Sequence, residues 1–234
     1  GWQTEVLGDP GELSSLYVIN AHEAYAVGGS YVVRYNGKAW VSFGKPADTV
    51  LHGVWAGDGV VVVVGEAGFI ARRSVDDLDW VVEESGTFQH LRGVHGRGAD
   101  DVWVAGNDGV ILHYAGAEDG WVIVDQTSNI DLYGVYVDPQ LEGSEGVVTC
   151  GSGGRLVLND SGVWKTSHVA SGDVILKGIF GIEGRLFTVG TGGLVSVRSG
   201  DTGSWVVQPT NLSKDRDLYA VGASDLDDVY AFGE

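Results

Sequence analysis

The stretch Leu91–Asp125 reads LRGVHGRGADDVWVAGNDGVILHYAGAEDGWVIVD. Four short apolar runs lie inside it: Leu91–His95, Val102–Ala105, Val110–Tyr114 and Trp121–Val124. Each is the length of a strand, none is long enough for an ordinary helix, and Gly- and Asp-rich turns separate them. The unit therefore predicts four consecutive antiparallel strands.

The same unit recurs on either side. Anchored on their first leucines, the copies begin at Leu16, Leu51, Leu91, Leu132, Leu176 and Leu218, at intervals of 35 to 44 residues. First strands read LYVIN, LHGVW, LRGVH, LYGVY, LKGIF and LYAVG, and second strands AYAVG, VVVVG, VWVAG, VVTCG, LFTVG and VYAFG. Each second strand ends in Gly, and in four copies a further Gly follows three residues later, which suits a tight hairpin to the third strand. Trp40, Trp80, Trp121, Trp164 and Trp205 open the fourth-strand regions. A period near ~40 with four strands per unit is that of propeller blades.

The expectation is an all-β, six-bladed β-propeller of four-stranded antiparallel blades, forming a single domain over residues 1–234. Leu218–Glu234 supplies only two strands, while Gly1–Leu7, with Trp2, resembles a fourth strand without its preceding three. The two terminal segments would close the last blade, leaving it three-stranded unless the natural protein continues past Glu234. Blade four carries an insertion, Asp138–Gly146. The third residue of the first strand is Gly or Ala in five copies, with Val18 the exception, as packing near an axis requires.

A formal net charge of −18 opposes binding to nucleic acid or anionic membranes and favours cations or basic partners. The longest apolar run, Val60–Val64, is far too short to insert in a membrane. Acidic residues gather in turns, as at Asp76, Asp77 and Asp79, and a calcium site is one use for them, but none has the ligand spacing of an EF-hand. No other cofactor and no metal site is expected. Cys150 is a buried strand residue that has no disulfide partner. The N-x-S sequences at Asn159 and Asn211 carry little weight.

The pattern L-x-G-V, then D-V-W-V-x-G-x-x-G-x-I-L-H, then a turn and Trp, resembles the propeller repeats of the photosystem II assembly-factor type, repeats also common in bacterial secreted and surface proteins. The turns Ser74–Trp80 and Ser199–Trp205 resemble degenerate Asp-boxes of sialidase-like propellers. The resemblance implies a propeller that is secreted, periplasmic or at a cell surface. It does not imply glycosidase activity, because Asp-boxes are structural turns and the fold hosts many roles.

In a propeller the first strand starts at the face shared by the 4–1 and 2–3 loops. Its second residue then lies near the channel mouth: Tyr17, His52, Arg92, Tyr133, Lys177 and Tyr219. Three tyrosines, a histidine and two cations suit a carboxylate, sugar or peptide; the competing use of this position is contact between blades. The fifth residues, Trp55, His95, Tyr136 and Phe180, offer either a sugar platform or core. His95 and His113 could be catalytic or ligating, or simply satisfied strand residues.

No G-x-S-x-G, H-E-x-x-H, C-x-x-C or P-loop occurs, and no catalytic residue is assigned. Arg34, Arg72, Arg73 and Arg198 fall at third-strand ends, away from Arg92, which argues against a converging arginine site. The sequence reading is a non-catalytic module that binds a protein, peptide or glycan at the channel mouth. The alternatives are a glycoside hydrolase or lyase with a channel active site, and a structural domain of a larger repeat protein.

Overall fold

The computed structural model describes residues 12–126, 129–170, 172–199 and 203–234. The first sheet is β1 (Leu13–Asn20), β2 (Glu23–Gly28), β3 (Tyr31–Tyr35) and β4 (Trp40–Gly44). The second is β5 (Leu51–Gly57), β6 (Val60–Gly65), β7 (Ile70–Ser74) and β8 (Val81–Glu83). The third is β9 (Leu91–Gly98), β10 (Asp101–Gly106), β11 (Ile111–Tyr114) and β12 (Trp121–Asp125). The fourth is β13 (Leu132–Val137), β14 (Val147–Gly151), β15 (Arg155–Asp160) and β16 (Val163–His168). The fifth is β17 (Leu176–Ile182), β18 (Arg185–Gly190), β19 (Leu194–Ser199) and β20 (Val206–Gln208). In each, strands pair in sequence order as an up-and-down meander.

The expected count of six blades, the last closed by both terminal segments and three-stranded, is corrected to five four-stranded blades: among the described residues β21 (Leu218–Asp225) and β22 (Asp228–Gly233) form a sheet of two strands only. The physical reason shows in β22. As the inner partner of a four-stranded sheet a second strand is covered, whereas here Tyr230 and Phe232 are 53% and 51% exposed. The proposed closing strand, Gly1–Leu7, lies outside the described residues.

The chain divides into two compact units. The first holds the first three sheets except the β10–β11 turn, Ala105–Val110, which belongs with the second unit, Asp125–Glu234. The core of the first unit joins Tyr25, Val27 and Phe43 to Leu51, Val54, Val61 and Val63. Val61–Val64 are all fully buried, so β6 is covered on both faces, as its unbroken apolar run implies. The second unit packs Cys150, Leu156 and Leu176 against Ile179, Leu186 and Trp205. Cys150 is buried, and burial pushes its thiol up to about 12.

The recurring glycines answer to two separate constraints. Gly65 is extended, with φ −163°, but a Cβ there would stand 2.3 Å from the Val50 carbonyl oxygen. That oxygen accepts the Glu66 N–H at 3.1 Å, so the backbones must approach. Gly151, Gly190 and Gly233 repeat the close approach at 2.2, 2.1 and 1.9 Å. Only the later glycine, as at Gly68 (φ +76°), needs the left-handed region. Between them runs a three-residue 3-10 turn, at Glu66–Gly68, Asn107–Gly109 and Thr191–Gly193.

Polar side chains tie strands together at the opposite strand ends. Asp101 accepts hydrogen bonds from Trp103 Nε1 and His113 Nε2, both at 2.8 Å, and from Arg97. The His113 ring stacks on Trp103 at 4.0 Å. Glu23 does the same work in the first sheet, holding Tyr25 Oη at 2.8 Å and Arg34 at 2.6 Å. Arg72 lies over Tyr114 and Arg73 over Phe43. His113, Arg34, Arg72 and Arg73 are thus framework residues.

Burial would raise the Asp101 carboxyl, but the donated hydrogen bonds and the Arg97 charge hold it down to about 2. Its folded value is depressed, so the stability it contributes is present above the ordinary carboxylate range and lost as pH falls through about 2. Asp101→Asn is expected to destabilise by about 2 kcal/mol near neutral pH, because a charged acceptor of three donors is lost. Urea unfolding should show that difference shrinking as pH falls toward 2.

Candidate functional site

The first strands share a bulge that sequence spacing does not reveal. The leading leucine pairs with the Gly that ends the second strand, the third residue pairs with the residue before that Gly, and the second residue is passed over. This holds for Leu51↔Gly65 and Gly53↔Val64, and again from Leu132, Leu176 and Leu218. It also holds for Leu13↔Gly28 and Ser15↔Val27. The first copy is therefore anchored at Leu13, three residues before the expected Leu16. Ser15 fills the small-residue position, and the Val18 exception disappears. The glycines there are tight against the next first strand: a Cβ on Gly53 would meet the Arg92 oxygen at 3.0 Å, and one on Gly178 the Tyr219 oxygen at 3.0 Å.

The register change moves Tyr17 out of the expected set. It becomes a fifth residue, half-buried beside Trp55 (6.3 Å) and His95 (6.0 Å). Trp55 is 1% exposed and Tyr136, 6.2 Å from Phe180, is 6% exposed, so these two fifth residues build core rather than a sugar platform, while His95 and Phe180 are half-buried. Ser14 takes the bulge position in the first sheet.

The other five expected residues do occupy bulges or, for Arg92, the matching position. In the first unit, His52 and Arg92 are half-buried and near one another. Desolvation, the Arg92 charge and His90 together lower the His52 pKa, against the pull of Glu66. His52, Glu66 and His90 bring one possible ligand atom each to within 4.8 Å of the others. In the second unit, the Lys177 ammonium lies 4.9 Å over the Tyr133 ring. Tyr219 Oη donates to Glu234 at 2.9 Å.

Sequence reasoning missed two features. Glu66 and His90 are remote from His52 in the chain, and only the stacked copies place the start of the 3-10 turn and the residue before the next first strand beside the bulge. The second is a cavity of about 430 Å³ in the second unit, lined by Tyr136, Asp138, Leu158, Asn159, Arg185 and Arg198 among others. The Asp138–Gly146 insertion forms part of its wall, and that insertion was the available signal.

Comparison with solved structures decides the architecture. The chain superposes on "YCF48 bound to D1 peptide" with a TM-score of 0.72 at 15% identity, covering 94% of this chain and 74% of that one. The fold is a β-propeller. Its resemblance to the photosystem II assembly-factor type holds at this level. The RRP9 WD40 repeats match with a TM-score of 0.72 at 12% identity, over 94% of this chain and 72% of that one. The extracellular domain of the one-component system BT4673 from B. thetaiotaomicron matches with a TM-score of 0.73 at 11% identity, over 99% of this chain and 33% of that one. No family model matches the propeller sequence, and no curated protein matches it significantly.

Proposed function

We propose that this propeller is a non-catalytic binding module for proteins or peptides, working outside the cytoplasm, with His52 and Arg92 as recognition residues of the first unit and Tyr133, Lys177 and Tyr219 as those of the second. The observation that carries the reading is the repeated bulge. A bulge re-aims one side chain without breaking the flanking pairs. Here it takes the second residue out of the ladder while its leucine neighbour stays buried, so a partly exposed polar or aromatic tip stands on a rigid strand.

The chemistry of these positions fits a peptide that carries carboxylates. Arg92, Lys177 and His52 are cationic or protonatable in a chain of net charge −18. Arg supplies a bidentate fork for carboxylate, and Tyr133 supplies a flat contact beside Lys177. Two neighbours lend support: one is a propeller bound to a peptide and another is an extracellular domain. Among the described residues no helix is long and apolar enough to cross a membrane.

A phage-displayed random peptide library selected on the wild-type protein tests this. Selected peptides should be acidic, and their affinity for Arg92→Ala/Lys177→Ala should fall by at least about tenfold, equivalent to about 1.4 kcal/mol. Binding should also weaken as salt rises. Selected peptides that bind the double variant as tightly as wild type would exclude Arg92 and Lys177 as recognition residues.

A further inference from the structure

The chemistry of the His52, Glu66 and His90 group is more specific than that of a surface patch. The three residues come from different segments: His52 from the β5 bulge, Glu66 from the 3-10 turn after β6, and His90 from the residue before β9. All three are half-buried, and one ligand atom from each lies within 4.8 Å of the others. The imidazole centroids are 6.3 Å apart with the ring planes at 80°, so the rings meet edge to face. Two imidazoles and one carboxylate form a donor set for zinc and neighbouring transition metals, with a fourth position left to water or a ligand. It is a poor set for calcium, which takes six or more oxygens.

We propose that His52, Glu66 and His90 form a three-ligand site for a divalent transition metal of the zinc type. Tetrahedral bonds of about 2.0–2.1 Å place ligand atoms about 3.4 Å apart, so atoms that lie within 4.8 Å of one another need close by at most about 1.4 Å on binding. The hairpin geometry holds two of the ligands in place. Glu66 N–H is fixed to the Val50 oxygen at 3.1 Å, and Gly68 N–H to the Gln89 oxygen at 2.8 Å, next to His90.

His90 Nδ1 accepts the Ala67 N–H at 3.3 Å. That bond has a counterpart in later copies, where Asp131 Oδ1 accepts from Asp108 N–H at 3.2 Å and Asp217 Oδ1 from Gly192 N–H at 3.1 Å. The position therefore has a structural duty as an acceptor, and His meets that duty while adding a ligand. Coordination through Nε2 moves the ring proton to Nδ1 and ends the Ala67 contact; coordination through Nδ1 replaces it. Either way one long hydrogen bond is exchanged for a metal bond. Arg92 near His52 opposes a cation, and the Glu66 carboxylate offsets it.

The test is zinc titration by calorimetry at about 0.15 M salt, where screening suppresses diffuse binding to the acidic surface. It is paired with thermal unfolding and with the visible absorption of Co²⁺. One saturable site per chain, a raised Tm and the intense d–d bands of four-coordinate cobalt are expected. His52→Gln, Glu66→Gln and His90→Asn should each weaken binding by at least about tenfold. His90→Asn keeps an acceptor for the Ala67 N–H, so its unliganded Tm should stay near that of wild type, which separates a lost ligand from a lost fold. The absence of a saturable site overturns the proposal, and so does zinc binding that all three variants retain at wild-type strength. The readout is the metal alone and does not depend on the peptide reading.

Discussion

Gly68→Ala is expected to lower the unfolding free energy by about 3 kcal/mol or more, while Gly120→Ala lowers it by only about 1 kcal/mol. Both glycines have positive φ, +76° and +64°, so both variants bear the ordinary strain of an L-residue in the left-handed region. They differ in what a Cβ would meet. At Gly120 nothing lies within 4 Å. At Gly68 the Cβ would fall 1.9 Å from the Thr87 backbone oxygen and 2.8 Å from Ser85 Oγ.

That contact cannot be relieved cheaply. Gly68 N–H donates to the Gln89 oxygen at 2.8 Å, and Ser85 Oγ donates to the Thr87 oxygen at 3.2 Å. The turn and the 85–89 segment are held together, and opening them breaks those bonds. For a domain of this size, about 3 kcal/mol should lower Tm by roughly 6–12 °C. Differential scanning calorimetry of the two variants side by side checks it. Equal losses at the two positions would show that φ alone, and not the close approach, keeps glycine at Gly68.

The strands were legible because each carries its own signal. The four runs read from Leu91–Asp125 reappear as β9 to β12, shifted by a few residues at most. The Asp138–Gly146 insertion fits the interval between β13 and β14 without remainder. What misled was the first copy. LYVIN after Leu16 looks more like LYGVY after Leu132 than LSSLY does, yet register is set by backbone contact and not by side-chain likeness. The leading leucine must oppose the Gly at which the second strand and the preceding loop touch, and in the first sheet that residue is Leu13. The bulge was invisible for the same reason: it is a property of pairing. Shifting the anchor moved Tyr17 from the second position of its strand to the fifth, half-buried against the core.

The blade count failed for a different reason. A repeat reports how many units begin, and Leu218 does begin one. Completing it needs partner strands, and the two that follow Leu218 pair only with each other among the described residues. The His52–Glu66–His90 group lay beyond sequence reading because its members come from two successive copies. A single copy shows His52 alone, as a half-buried residue of the first strand with no second ligand beside it in sequence. Convergence appears only once the first strands stand side by side.

Between pH 7 and pH 4 the protein should lose about 2–3 kcal/mol of stability through His95, and His95→Phe should abolish that loss. His95 keeps some exposed surface, but its ring is packed within 6.0 Å of Tyr17. Burial is the larger cause, and the nearby Arg97 charge the smaller, of a pKa lowered from 6.5 to about 4. The sign follows from proton counting. The unfolded chain takes up a proton near 6.5 and the folded chain only near 4, so between those values acid favours unfolding. Stability from this residue is complete above 6.5 and falls until pH reaches about 4. The full shift would be worth slightly more than 3 kcal/mol, and the exposed edge reduces it. Asp101, held down to about 2, titrates below this window and does not mimic the effect. Phenylalanine is the natural replacement because Phe180 fills the same position in the fifth sheet. Urea midpoints at pH 7, 5.5 and 4 should converge for the wild type and the variant in one direction only: the wild type falls toward or below the variant as acid is added. His52, also lowered by desolvation, leaves a residual slope in His95→Phe, and His52→Gln/His95→Phe should flatten it further. Parallel slopes in wild type and His95→Phe would mean that the His95 ring takes up its proton in the folded state as readily as in the unfolded one.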